Sequence, residues 1–145
     1  IELNDYDPLQ VTPWLEENIL NLLDGNAVSS DEARQRIEVW FEEIAGNDEI
    51  MLVCPGKQAD FVLLFNLWGK VESGNPLRRW DNNLPPQINH KWHPDMDTLF
   101  LFHGIDPNLD RDTFAETAAE GNRHHALYDA LVLKQCWEKL IEKED

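Results

Sequence analysis

The strongest constraint on what this chain can fold into is one short apolar run, EIMLVCPG at residues 49–56, closed by Pro55 and Gly56. Its length is that of a strand, and a run with no polar alternation suits a strand covered on both faces, as in a parallel sheet. A strand is therefore expected over residues 49–54. Helices must then cover it, and the flanking sequence supplies them.

Thr12 and Pro13 read as N-cap and first helical residue, because proline there gives up an N–H that had no partner. Val11, Trp14, Leu15, Ile19, Leu22 and Leu23 follow at helical spacing until Asp24, Gly25 and Asn26 break the pattern. Ser29 with Glu32 forms a capping-box pattern, and Ala33, Ile37, Trp40, Phe41 and Ile44 make one stripe before Gly46 stops the helix. Helical spacing resumes through Phe61, Leu64, Phe65 and Trp68, with Asp60 near the start. Residues 71–94 are dense in Gly, Asn and Pro and read as loop, with a short strand at INHKW. DMDTLFLFHG reads as helix to Gly104, DRDTFAETAAEG as a short helix capped by Asp110, and the last helix carries Leu127, Leu131, Leu133, Trp137 and Leu140.

The length, 145 residues, suits one domain spanning residues 1–145. Asp and Glu total 28 against 12 Lys and Arg, a formal charge of -16. Nonspecific nucleic-acid affinity comes mostly from cations that displace counterions from phosphates, so a broad basic groove is excluded. A nucleic acid would have to be held locally, at a chain end, with metal ions supplying positive charge. The loop GNPLRRWDNN concentrates two cations and an aromatic ring, so Arg78, Arg79 and Trp80 are candidate substrate contacts. Cys54 and Cys136 both fall in apolar patterns and read as core thiols in a reducing, cytoplasmic setting. No run has the length of a membrane span.

Taken alone, Asp60 reads as a helix N-terminal charge, worth about 0.3–1 kcal/mol against the dipole. His124 alone reads as a loop residue before a helix, and His125 as its surface neighbour. As a set they look different. HHALYDA contains H-x-A-x-x-D as His124, Ala126 and Asp129, which resembles the third motif of the DEDDh 3'-5' exonucleases of the ribonuclease H-like superfamily. MLVCPGKQADFVLLFNLWG is similar to their second motif, with Asp60 as its helix-borne aspartate. DTL at Asp97–Leu99 and WLEENILNLLDG resemble further stretches of the phage and bacterial exoribonuclease branch. Nearly the whole chain is covered, in order.

The resemblance implies an α/β, ribonuclease H-like three-layer fold with a central mixed sheet flanked by helices. The family's first motif, D-x-E on the first strand, is absent from residues 1–47, where DYD at Asp5–Asp7 falls beside a turn. The N-terminal strands are accordingly expected to be missing from this chain. The implied activity is hydrolysis of phosphodiester bonds at the 3' end of single-stranded DNA or RNA. Asp60 and Asp129 would bind two Mg2+ or Mn2+ ions, and His124 would be the general base.

The chemistry accounts for such a set. Two carboxylates about 4 Å apart repel by about 4 kcal/mol at an effective dielectric near 20, and so call for a cation. Hard oxygen donors suit Mg2+ or Mn2+, and an imidazole can take a proton from water near neutral pH. The alternatives are a catalytically incomplete ribonuclease H-like binding or scaffolding module, and an acidic protein that mimics nucleic acid. Divalent-metal dependence separates the first reading from both.

Overall fold

In a computed structural model of the chain the described residues are 1–4, 8–56, 59–69, 84–88, 93–116, 121 and 123–141. Among them are six α-helices: α1 (Pro13–Asn18), α2 (Ser30–Ala45), α3 (Ala59–Asn66), α4 (Met96–Phe102), α5 (Arg111–Ala115) and α6 (Ala126–Ile141). Three isolated parallel bridges accompany them, Leu3 with Val28, Ile50 with Ile88 and Cys54 with Asp95. The elements are thus mixed and mostly helical. The chain divides into two compact units, one of Ile1–Pro8, Asp24–Val53 and Gln58–His93, the other of Leu9–Leu23, Cys54–Lys57 and Pro94–Asp145.

The first unit is organised by α2 and α3. Ser29 caps α2, its hydroxyl accepting the Glu32 N–H at 3.2 Å, and Gly46 ends it with φ 57 and an N–H donated to the Glu42 carbonyl. Only part of the expected stripe is core: Ala33 and Phe41 are buried, whereas Trp40 and Ile44 are each 54% exposed. Phe61 and Phe65 of α3 stack at 6.1 Å and both meet the His93 ring, at 5.1 and 5.4 Å. Trp68 is buried and donates its indole N–H to Glu38 at 2.7 Å, which satisfies a polar tip inside an apolar setting.

The expected strand at residues 49–54 is realised differently. Backbone bridges form at Ile50 and Cys54, but Leu52 donates its N–H to Nδ1 of His93 at 3.4 Å. Met51 is 37% exposed, so the run is not covered on both faces along its length.

In the second unit, α1 starts as expected, with Thr12 accepting the Leu15 N–H, but it ends at Asn18 and gives way to a 3-10 turn at Leu20–Leu22. The core joins Met96 and Phe100 of α4, Phe114 of α5, and Val132, Cys136 and Leu140 of α6. Those α6 positions recur every fourth residue, one side of a helix. Of the apolar positions that mark this helix in the sequence, Leu140 is buried, whereas Leu127 and Leu131 are 63% and 39% exposed. Cys54 and Cys136 are both buried, as expected, and Cys136 donates to the Arg111 carbonyl at 3.4 Å.

Candidate functional site

The site is built at the start of α6. His124 precedes the helix with φ 70, in the left-handed region that few residues without a short polar or ring side chain adopt. Its backbone N–H donates to Oδ1 of Asp129 at 3.3 Å, and the Asp129 N–H donates to the His125 carbonyl at 3.0 Å. Asp129 therefore reaches back over its own helix start and fixes the residue before the cap. The i to i+5 spacing is the geometric condition for this. The His124 ring meets the edge of the Trp14 ring at 5.2 Å.

His124 and Asp129 line a cleft of about 220 Å³ whose other polar walls are Asp110, Arg111, Asp112 and Arg123. His125 is exposed and does not line it. Asp110 caps α5, accepting the Thr113 N–H at 3.1 Å. Nη2 of Arg123 donates to both carboxylate oxygens of Asp110, at 2.7 and 2.6 Å, and also pairs with Asp112. The Arg123 hydrogen bond, helped by the Thr113 N–H, holds the Asp110 carboxyl below its ordinary pKa. Its bonds to Asp110 and Asp112 raise Arg123 in turn. The Tyr128 hydroxyl donates to Asp112, which pushes the phenol above its usual value.

Arg111 is held differently. Its guanidinium lies 4.3 Å over the Phe100 ring, pairs with Asp97 and donates to the carbonyls of Leu109 and Pro55. Asp97, singled out by the DTL stretch, is thus the anchor of a cation. A Cβ on Gly56 would run into the Asp97 carboxylate, so glycine is what lets that loop approach.

Both arginines of the cleft are already committed to carboxylates. Asp129 is held by a backbone amide instead, and the donor set of the wall is oxygen and imidazole without thiolate. That set fits a hard divalent cation rather than a soft one. Among the described residues no group of three or more His, Cys, Asp and Glu side chains is arranged to hold a metal ion.

Asp60 sits exposed in the first turn of α3, in the first unit. Arg78, Arg79 and Trp80 lie outside the described residues, as do Asp5 and Asp7. Sequence reasoning missed Arg123, Asp112 and Tyr128, and took Asp110 only as a cap. The signal present was a D-x-D at Asp110 and Asp112 and an arginine directly before His124. No helix among the described residues is long and apolar enough to cross a membrane.

A family model for the 3'-5' exoribonuclease Rv2179c-like domain matches residues 14–141, most of the chain. The chain belongs to this Rv2179c-like exoribonuclease family. No curated protein and no solved structure matches it.

Proposed function

We propose that the chain is a DEDDh-type 3'-5' exoribonuclease domain with a ribonuclease H-like fold, removing nucleotides one at a time from an RNA 3' end in the cytoplasm by two-metal-ion hydrolysis. The observation that carries the reading is the junction of His124 and Asp129 on one cleft wall, through a hydrogen bond between the residues that the third motif pairs. Family membership supports the substrate, RNA, and the direction of attack.

In this reading His124 takes the proton from the attacking water, and its left-handed backbone sets where the ring stands. Asp129 does two things, orienting His124 through its amide and offering carboxylate oxygen to a cation. Asp60 supplies a second carboxylate on the strength of its motif. Mg2+ or Mn2+, when bound, would lower the pKa of water and stabilise charge on the leaving oxygen. Cationic help is needed because the chain carries a formal charge of -16 and both cleft arginines are paired. Arg78, Arg79 and Trp80 would add phosphate contacts and a stacking surface.

The test is an oligoribonucleotide labelled at its 3' end, incubated with Mn2+ or with chelator. Labelled mononucleotide should appear only with metal, and a 5'-labelled strand should shorten stepwise. RNA binding with no release in either condition would favour the catalytically incomplete binding module, and failure to bind RNA at all would favour the acidic mimic.

A further inference from the structure

We infer that Arg123 and Tyr128 are positioning residues for His124: they clamp the turn before α6 onto the start of α5, through Asp110 and Asp112, and so keep His124 in its left-handed conformation on the cleft wall. The inference rests on the proposed role of His124 as base. Three contacts fix this turn. Gly121, at φ 143, packs its backbone on Tyr128, where an added Cβ would stand 3.1 Å from the ring. Arg123 engages both Asp110 oxygens and Asp112. The His124 N–H is held by Asp129. Tyr128, four residues from His124 and one from Asp129, ties α6 to the same Asp112.

The exposure of this cluster argues for orientation over stability. The Arg123 side chain is 56% exposed and Asp110 45%, and ion pairs so open to water add little to folding. Yet two carboxylates converge on one guanidinium directly beside a residue in an unfavourable backbone region. A non-glycine residue stays at positive φ only where its surroundings over-determine it, and this network is what surrounds His124.

The test uses the full chain and four variants: Arg123→Ala, Arg123→Lys, Tyr128→Phe and His124→Ala. Steady-state cleavage of a 3'-labelled oligoribonucleotide with Mn2+ is read as kcat and KM, and hydrogen exchange of the His124 amide is read by NMR. Misplacing a reacting group can cost up to about 100-fold. Arg123→Ala should lower kcat about 10- to 100-fold with KM little changed, and the His124 amide should exchange faster. Arg123→Lys, which keeps the charge at Asp110, should recover most of both. Tyr128→Phe should show a smaller loss of the same kind. A raised KM with kcat retained would make Arg123 a phosphate contact and overturn the inference. So would an unchanged exchange rate at His124. If His124→Ala keeps full kcat, the base assignment fails, while the exchange measurement still decides whether the clamp exists.

Discussion

α3 and α6 each carry an aspartate in the first turn, Asp60 and Asp129, and the two starts are built differently. Asp129 accepts the amide of the residue before its helix cap and shares a cleft wall with His124, Asp110 and Arg123. Asp60 is exposed, and its carboxylate forms no hydrogen bond or ion pair among the described residues. The same residue type in the first turn of a helix holds a backbone amide in one place and, among the described residues, holds none in the other. Position within a helix therefore does not define a role; the surrounding hydrogen bonds do.

The largest effect expected from this contrast is kinetic. His124→Ala should lower turnover about 100- to 10,000-fold, the usual contribution of a general base, whereas His125→Ala should change it little. Single-turnover cleavage of the 3'-labelled strand measures both. Equal losses at the two histidines would mean that the cleft wall does not distinguish them.

Next comes the dual use of Asp129. Asp129→Asn keeps an acceptor for the His124 amide while removing charge; Asp129→Ala removes both. The alanine variant should be less stable than the asparagine variant by about 1 kcal/mol, the scale of a lost helix-start hydrogen bond. At Asp60 the corresponding pair should differ by less than about 0.5 kcal/mol, while both lose metal-stimulated cleavage. Denaturant melting reads the first comparison and the cleavage assay the second. A large stability gap at Asp60 would erase the difference between the two helix starts.

Smaller still is the effect of the loop cations. If Arg78 and Arg79 each neutralise one phosphate of a single strand, replacing both by alanine should reduce the salt slope of log binding constant by about 1.4, from about 0.7 per contact. An unchanged slope would remove that loop from the substrate path.

How much of this was legible in the sequence depends on the range of the interaction. Caps are local, and Thr12, Ser29, Gly46 and Asp110 were read correctly because a cap is fixed by residues three or four away. Cys136 was placed in the core because helical periodicity is local too. The run at 49–54 carries backbone bridges at both ends, at Ile50 and Cys54, and its Leu52 amide meets His93, 41 residues away in sequence, a partner that no local pattern encodes. Of the apolar positions of α6, Cys136 and Leu140 are buried with Val132, whereas Leu127 and Leu131 are exposed, because the packing against α5 decides which side is covered. In the site, H-x-A-x-x-D was readable as spacing. The Arg123 network was not, since it joins residues 11 and 13 apart across a turn and no periodicity encodes such a pairing.

The smallest expected effect separates two carboxylates that share a direction of pKa shift but not its cause. Asp110 in the second unit is lowered chiefly by its hydrogen bond with Arg123, and Asp24 in the first chiefly by the Asn26 backbone N–H, 2.8 Å away. In both, the folded value lies below the unfolded one, near 3.8. Their contribution to stability is therefore present above pH 3.8 and is lost as pH falls through the folded pKa. Both groups should leave melting flat between about pH 5 and 8, where each is ionised in both states. Salt distinguishes them. Raising ionic strength from about 0.01 to 1 M shortens the screening length from about 30 to 3 Å, which weakens an exposed pair of full charges more than a backbone hydrogen bond. NMR titration of the two carboxyls should show Asp110 returning toward its ordinary value in high salt and in Arg123→Ala, with Asp24 moving little in either. If both move together with salt, Arg123 is not what holds Asp110, and the tie between α5 and the turn at His124 is weaker than its geometry implies.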